Sequence, residues 1–383
     1  MMIIPNLDFG GAQNSFSKLN YMLNEHGKVF SVVFNTHDEI SVPLMGELID
    51  LKISAGKNWL LKAYYLLKRV YKVRSLKRKL KIDTSISFLE GANYVNILSK
   101  VNERVVISIR GSKVNDENIE GLLGKLRLRL LVPVIYNKSD HIIAVNESIK
   151  SELVNDFKIK SPCDVLPNFY DLNDLNSKAC EPIPLRQEQL FNHGGFKIFS
   201  VGRLAPEKGI QHLLKVVSEL RHYRPTQLFI IGSGDYEHEL INRCEELSLN
   251  YFIGSTVDHG IWYDVVFLGY TSNPIKFSKY ADLMVSTSSA EGFPNAIFEM
   301  MSQGVPIIAA ENDGIRELLV DNSLRYGKIL NSFSSESSYD EWVECIKSLM
   351  DNPTQLSKLG NSAKERVAMF DHKKTIKKWI SMV

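Results

Sequence analysis

The sequence predicts two doubly wound α/β domains in tandem, and three observations lead there. Apolar runs of five to seven residues alternate with amphipathic stretches along the chain, the pattern of βα units laid over a parallel sheet. A length of 383 residues exceeds what one hydrophobic core usually serves. A composition of 44% hydrophobic and 23% charged residues is that of a folded globular protein, not of a disordered or fibrous chain.

Each element follows in order. In residues 1–170 the expected strands are MMIIP at the start, VFSVVF (29–34), TSISFL (84–89), RVVISI (104–109) and HIIAV (141–145). Residues 171–195 are rich in Asn, Pro and polar side chains without a sustained period, and read as a linker. A second domain over 196–365 is expected on strands FKIFSVG (196–202), QLFIIG (227–232), VVFLG (265–269), DLMVST (282–287) and VPIIAA (305–310). The chain closes on helices, the last of which, within 366–383, is expected to return and complete the first domain. Two such sheets are expected to bring the carboxyl ends of their strands to a shared cleft, where open α/β sheets bind ligands.

Charge and cysteines narrow the classes. Lys and Arg number 46 against 44 Asp and Glu, so net charge points to no nucleic acid. Cys163, Cys180, Cys244 and Cys345 form no C-x-x-C pair, which speaks against a zinc knuckle or a disulfide framework and fits a reducing compartment. The start of the chain has no charged region leading into a long apolar one, so no signal peptide is expected. No apolar run approaches the roughly 20 residues that span a bilayer. A cytoplasmic protein is the expectation.

Three segments carry chemistry. In DLMVSTSSAEGFPNAIFEMM a strand ends near Thr287, a small-residue loop holds Glu291 and Gly292, and a helix is expected to start near Pro294. The amides of Phe293, Asn295 and Ala296 are then expected to be unpaired and to suit a phosphate or a sugar hydroxyl. At about 1.5 Å per helical residue, Glu291 and Glu299 stand about 10 Å apart. They are therefore no acid/base pair at one bond, and each would hold a different part of an extended ligand. An ordinary helix-start acid and a solvated glutamate are the bland alternative. In FSVGRLAPEKG, Arg203 and Lys208 flank a loop at a strand's carboxyl end, where fixed cations suit a diphosphate leaving group. No D-x-D occurs, so no metal and no cofactor are expected. Third, Asp8-Phe9-Gly10-Gly11-Ala12-Gln13 follows the first strand. Its adjacent glycines let a ligand approach the backbone, or make a plain tight turn.

Taken in order, GGAQ, IIAVNESIKSEL, VLPNFYD, VGRLAPEKG, IIGSGDYEHELI, FLGY, EGFPNAIFEMMSQGVPII and DGIRELL make the chain resemble glycosyltransferase family 4, densely over 196–320 and thinly over 35–100. The resemblance implies the GT-B fold and transfer with retention of anomeric configuration. It implies that Arg203 and Lys208 bind the donor diphosphate and stabilise the departing nucleotide, and that Glu299 holds the ribose hydroxyls. Glu291 then faces the donor sugar in a pocket lined by Gly292, Phe293, Pro294 and Asn295. Gly10 and Gly11 resemble the loop that closes on the diphosphate, and Gly269 and Tyr270 fall near the base. Where relatives carry a histidine after the strand matched by RVVISI, this chain has Ile109-Arg110-Gly111-Ser112. Arg110 and Ser112 are thus candidates on the acceptor side, with a surface arginine at a strand end as the alternative for Arg110.

Residues 57–81 hold Lys57, Lys62, Lys68, Arg69, Lys72, Arg74, Lys77, Arg78, Lys79 and Lys81 with no acid, interleaved with Trp59, Leu60, Tyr64, Tyr65, Leu67 and Tyr71 at helical spacing. Lys125, Arg127 and Arg129 form a second cluster. Basic helices with aromatic anchors lie on anionic membranes, whereas no base-reading module accompanies these cations. A solvated helix packed on its own domain is the bland reading. The expectation is a retaining glycosyltransferase on the inner face of the cell membrane. It would move sugar from a UDP- or GDP-sugar to a saccharide, polyprenyl-linked, in bacterial O-antigen, capsule or exopolysaccharide synthesis. A nucleotide-sugar 2-epimerase and a non-catalytic nucleotide-sugar-binding subunit remain as alternatives.

Overall fold

The computed structural model describes residues 1–8, 10–36, 42–54, 56, 58–113, 130–254, 261–370 and 372–382, without the side chains of Trp59 and Arg186. Of the residues singled out above, Phe9, Lys57, Lys125, Arg127, Arg129 and the Trp59 side chain lie outside that set. The chain forms two compact units, Met1–Phe169 with Asp371–Val383, and Tyr170–Phe370.

In the first unit the strands are Met2–Ile4 (β1), Phe30–Val33 (β2), Glu47–Asp50 (β3), Thr84–Phe88 (β4), Arg104–Ile109 (β5), His141–Ala144 (β6) and Cys163–Val165 (β7). They form one sheet in the order β3-β2-β1-β4-β5-β6-β7, parallel throughout. Alternation along a strand feeds two cores at once. Met2 and Ile4 pack with Phe16, Phe88 and Trp379 on one face, while Ile3 joins Val32, Val73 and Val95 on the other. The C-terminal helix His372–Ile380 belongs to this unit, with Trp379 fully buried and stacked on Phe88 at 6.3 Å. Arg104 Nη1 donates to the Met382 carbonyl at 3.2 Å.

The basic stretch forms the helix Trp59–Lys79, capped by Asn58, whose Oδ1 accepts from Leu61 N at 2.9 Å. Not all of its cations are surface charges. Lys77 is buried against Glu103 at 2.7 Å and donates to Asn96 Oδ1 at 2.8 Å. Burial draws the Lys77 ammonium down to about 8, and Glu103 limits the drop. Arg69 donates to the Ile53 carbonyl and lies over the Phe34 ring, and Lys72 reaches the Leu51 carbonyl. These three tie the helix to its own unit. Lys77 is buried and Arg69 half-buried, so the place of these two on a membrane-facing cluster is corrected, whereas Lys72 stays exposed.

In the second unit the strands are Phe196–Val201 (β8), Thr226–Ile231 (β9), Tyr251–Ile253 (β10), Val265–Gly269 (β11), Leu283–Ser286 (β12), Ile307–Ala310 (β13), the hairpin Val320–Asp321 (β14) and Leu324–Arg325 (β15), and Lys328–Leu330 (β16). The seven-stranded sheet runs β10-β11-β9-β8-β12-β13-β16, parallel throughout. Segment 171–195, expected as a linker, is folded into this unit. It forms helices Leu172–Ala179 and Leu185–Glu188, and Leu175, Ile183, Leu190 and Phe191 are buried in the same core as Phe199, Phe229 and Phe277. Its polar composition reflects only the outward side of that layer. Among the described residues, no helix is long and apolar enough to cross a membrane.

Replacing Trp379 by Ala is expected to destabilise the protein by about 3–5 kcal/mol, the range for deleting a fully buried large aromatic ring. Equilibrium urea unfolding checks this. A loss under about 1 kcal/mol would mean that the C-terminal helix contributes little to that core.

Candidate active site

In the second unit the sheet order changes direction between β8 and β12. The connection after β8 leads away to β9, and that after β12 leads the other way to β13. Such a switch point opens a crevice at the carboxyl ends of the two strands. The segments VGRLAPEKG and EGFPNAIFE follow these two strands, so the topology alone makes them neighbours.

The loops are latched by hydrogen bonds onto their backbone carbonyls and by close backbone packing at two glycines. After β8 a 3-10 turn, Pro206–Lys208, hands over at Gly209 to the helix Ile210–Tyr223. Gly209 has a left-handed backbone (φ +65°), and any Cβ there would run into the Thr287 carbonyl. Thr287 Oγ1 donates to the Lys208 carbonyl at 2.8 Å, and the Ser289 amide donates to the Glu207 carbonyl at 2.9 Å. A third loop joins from β13. There Asn312 Nδ2 donates to the Ser288 carbonyl at 2.9 Å, and its Oδ1 caps the helix Asp313–Leu319 by accepting from Ile315 N at 3.0 Å. Gly314 in that helix packs directly on the Glu291 carbonyl.

This frame brings Lys208 Nζ to 2.7 Å from Glu291 Oε1, with the two side chains 24% and 18% exposed. The pair is shielded enough to be ordered yet open enough for a ligand to compete for either charge. Arg203 stands apart from it, 66% exposed and ion-paired to Glu207 one turn on. Of the two expected cations, one therefore meets an expected acid across the crevice and the other faces solvent.

The helix after the second segment runs Asn295–Ser302, with Pro294 as its N-cap and not its first residue. The Asn295 amide, expected to be unpaired, donates to the Phe293 carbonyl at 2.9 Å, because the chain turns tightly there. Gly292, Phe293, Asn295, Ala296 and Glu299 are all partly buried, and Pro294 is fully so. Gly269 ends β11 and Tyr270 follows it, and β9 separates that strand from β8. Gly269 has φ +72°, and Tyr270 is 44% exposed.

A residue of the site that the motifs did not flag is Tyr170. Its hydroxyl donates to Asn295 Oδ1 at 2.6 Å. The only signal was its place in VLPNFYD, which marked a segment and not a side chain.

In the first unit, Gly10 precedes the helix Gly11–Asn24 and accepts at its carbonyl from Asn14 N at 3.0 Å. Its φ of 169° is ordinary extended backbone. The lack of a side chain matters there for space, since a Cβ would meet Gln13 Oε1. Arg110 is neither a surface arginine nor a free cation. Its guanidinium lies over the Phe88 ring at 4.6 Å, and Nη1 donates to Asn168 Oδ1 at 2.6 Å. Burial draws its pKa down to about 9, which leaves the cation intact at neutral pH. Ser112 donates to Glu152, which also accepts from the Lys113 amide at 2.6 Å. Lys113 itself pairs with Glu90. Arg110 and Ser112 thus stand at the carboxyl end of β5, held by other residues of the same unit.

Two doubly wound parallel sheets with a charged crevice at a switch point define the GT-B class of enzyme. The Anabaena protein HepE, solved in complex with UDP and glucose, matches the chain with a TM-score of 0.74 at 17% identity, over 99% of this chain and 98% of that one. Residues 183–366 match the family model of the group 1 glycosyl transferases. Along its sequence the chain is 27% identical to an uncharacterised glycosyltransferase of Methanocaldococcus jannaschii, over 88% of each. It is 26% identical, over 97% of this chain and 95% of the relative, to the N-acetylgalactosamine-N,N'-diacetylbacillosaminyl-diphospho-undecaprenol 4-alpha-N-acetylgalactosaminyltransferase of Campylobacter jejuni. The chain carries a group 1 glycosyl transferase domain and is a glycosyltransferase.

Replacing Gly314 by Ala puts a methyl group against the Glu291 carbonyl and must push the acid off its position. A misplacement of about 1 Å in a positioning group can cost about a hundredfold in rate. Turnover is therefore expected to fall at least about tenfold while the fold survives. Initial rates beside a circular-dichroism melt check this, and parental turnover would mean that the latch does not set the acid.

Proposed function

We propose that the chain transfers a sugar from a UDP- or GDP-sugar to a lipid-linked glycan with retention of anomeric configuration, in the assembly of a surface polysaccharide. The observation that carries this reading is the Lys208–Glu291 pair at the switch point of the second unit. A donor diphosphate is an anion that competes with Glu291 for Lys208, and Arg203, exposed and paired to Glu207, supplies a second cation. Glu291, released from Lys208, is free to accept from the hydroxyls of the donor sugar. Glu299 holds the ribose at the nucleotide end.

In this mechanism the bond from the anomeric carbon to the diphosphate oxygen breaks as Lys208 and Arg203 take up the growing negative charge. The acceptor oxygen bonds to the anomeric carbon on the same face. Its proton passes to the departing diphosphate oxygen, so no side chain acts as base. With the charge balanced by the chain's own cations, the reaction is proposed to need no metal or cofactor. The Campylobacter relative, whose name contains a diphospho-undecaprenol acceptor, supports a polyprenyl diphosphate carrier here as well.

A lipid-linked acceptor calls for a membrane-facing surface, and the helix Trp59–Lys79 supports one in the first unit. Leu60, Tyr64, Leu67 and Tyr71 recur on one side of it and are 57 to 76% exposed. Arg74 and Arg78 continue that side, and Lys68 and Lys79 flank it, all exposed. An outward apolar stripe ending in cations fits the boundary of an anionic bilayer, with about 1 kcal/mol per surface cation.

Thermal unfolding with a panel of UDP- and GDP-sugars tests the donor site. At about 100 Kd a true donor adds about 2.7 kcal/mol to the folded state. Lys208→Ala is expected to abolish that shift and Glu299→Ala to weaken it, and turnover is expected to persist in excess EDTA. Variants that bind as the parent does would sink the assignment, and activity restored only by added divalent metal would sink the metal-free mechanism. For the membrane face, a Leu67→Ser/Tyr71→Ser protein is expected to sediment about tenfold less with phosphatidylglycerol vesicles, since two exposed apolar anchors for the bilayer are lost. Equal sedimentation would remove the stripe from the binding surface.

A further inference from the structure

Tyr170 is 4% exposed, so its hydroxyl needs a partner inside the protein. Its ring is fixed from behind, stacked on Phe298 at 4.7 Å and 24° and lying 6.5 Å from Phe293. Both phenylalanines belong to the segment that leads into and forms the helix Asn295–Ser302. The hydroxyl points to the polar side of that helix, where it donates to Asn295 Oδ1 at 2.6 Å. Residues four apart share a helix face, so Glu299 stands one turn beyond Asn295 on that side. Burial first, and then the Glu299 carboxylate within hydrogen-bond reach, raise the phenol well above its ordinary value. The group is therefore a neutral donor at every working pH. A phenol has one proton to give, and both acceptors stand in reach of it. The amide of Asn295 and the carboxylate of Glu299 are thus gathered to one rigid point.

We propose that Tyr170 is the positioning residue of the donor site: its hydroxyl orients Glu299, and through Glu299 the ribose hydroxyls of the nucleotide. This rests on the donor reading given above. Tyr170 touches neither the sugar nor the diphosphate in this role. It converts a flexible glutamate, which would otherwise lose rotamer freedom on binding, into one already ordered. The effect belongs to nucleotide affinity and not to the chemical step.

The test uses the whole chain, with Tyr170→Phe as the variant. UDP and GDP are titrated by calorimetry against the parent, and the one that binds is compared with its 2',3'-dideoxy form. Tyr170→Phe is expected to weaken the ribonucleotide about tenfold, as for the loss of a hydrogen bond to a charged group. The dideoxy nucleotide, having no hydroxyls for Glu299 to hold, is expected to bind parent and variant alike. In steady state the donor KM is expected to rise by the same factor with kcat kept within about twofold. In a Glu299→Ala background the tyrosine change is expected to add nothing. Equal weakening of both nucleotides, an additive loss beside Glu299→Ala, or no loss at all would overturn the proposal. So would a variant that does not fold, because Tyr170 would then be structural. If Glu299→Ala itself binds nucleotide as the parent does, the donor site reading has failed, and that outcome is distinguishable from the others.

Discussion

The Thr287 carbonyl occupies the space where a side chain at position 209 would lie, and much of the second unit's chemistry follows from that contact. Because β8 and β12 are paired in parallel, with Leu283 beside Ile198 and Met284 beside Phe199, their loops emerge side by side. Two loops leaving adjacent strands in opposite directions would splay unless something held them. The hold is made on main-chain carbonyls: Ser289 N donates to that of Glu207, and Thr287 Oγ1 donates to that of Lys208. Backbone contacts of this kind leave side chains free for ligands. Lys208 and Glu291 can therefore meet without bearing the load of the turn. A partly exposed ion pair contributes at most about 1 kcal/mol to stability, so the stability of the fold gives little reason to keep these two charges together.

The central strands were legible in the sequence and the edge strands were not. Expected strands such as RVVISI and QLFIIG are buried on both faces, and a two-sided burial writes a continuous apolar run. The strands that escaped are β3, β7, β10 and β16, the four edges of the two sheets, together with the small β14–β15 hairpin. ELID, CDV, YFI and KIL are short and half-exposed, so they mix polar and apolar residues and carry no period to read. The same blindness made 171–195 look like a linker. Four buried residues, Leu175, Ile183, Leu190 and Phe191, anchor it, but they are spaced too irregularly to announce a helix.

At the site, residue types were legible and pairings were not. Lys208 and Glu291 are 83 residues apart, and nothing in either loop alone says that one cation will find the acid while Arg203 turns to Glu207. The basic helix teaches the same lesson. Counting charges gave a uniformly cationic stretch, whereas packing divides it into a buried Lys77, a half-buried Arg69, and an exposed remainder that carries an apolar stripe facing out. Arg110 is the sharpest case. Its position after β5 was readable, but its clasp between Phe88 and Asn168 depends on a residue 58 positions away.

The aromatic cluster behind the helix Asn295–Ser302 shows how a polar face is given precision. Phe293 and Phe298 are packed by Tyr170 on one side and by Phe370 on the other, at 6.1 and 5.4 Å to the two rings. Tyr170 and Phe370 are also the first and last residues of the second unit. The helix that presents Asn295 and Glu299 is thus gripped by the points where the chain enters and leaves its own domain. A helix of only eight residues is marginal on propensity alone and takes its stability from such packing. Placing the grip on rings with few rotatable bonds fixes the helix axis at little entropic cost. On the polar edge the buried Tyr170 hydroxyl adds a hydrogen bond to Asn295 Oδ1, so rings and hydroxyl together hold the first turn of the helix.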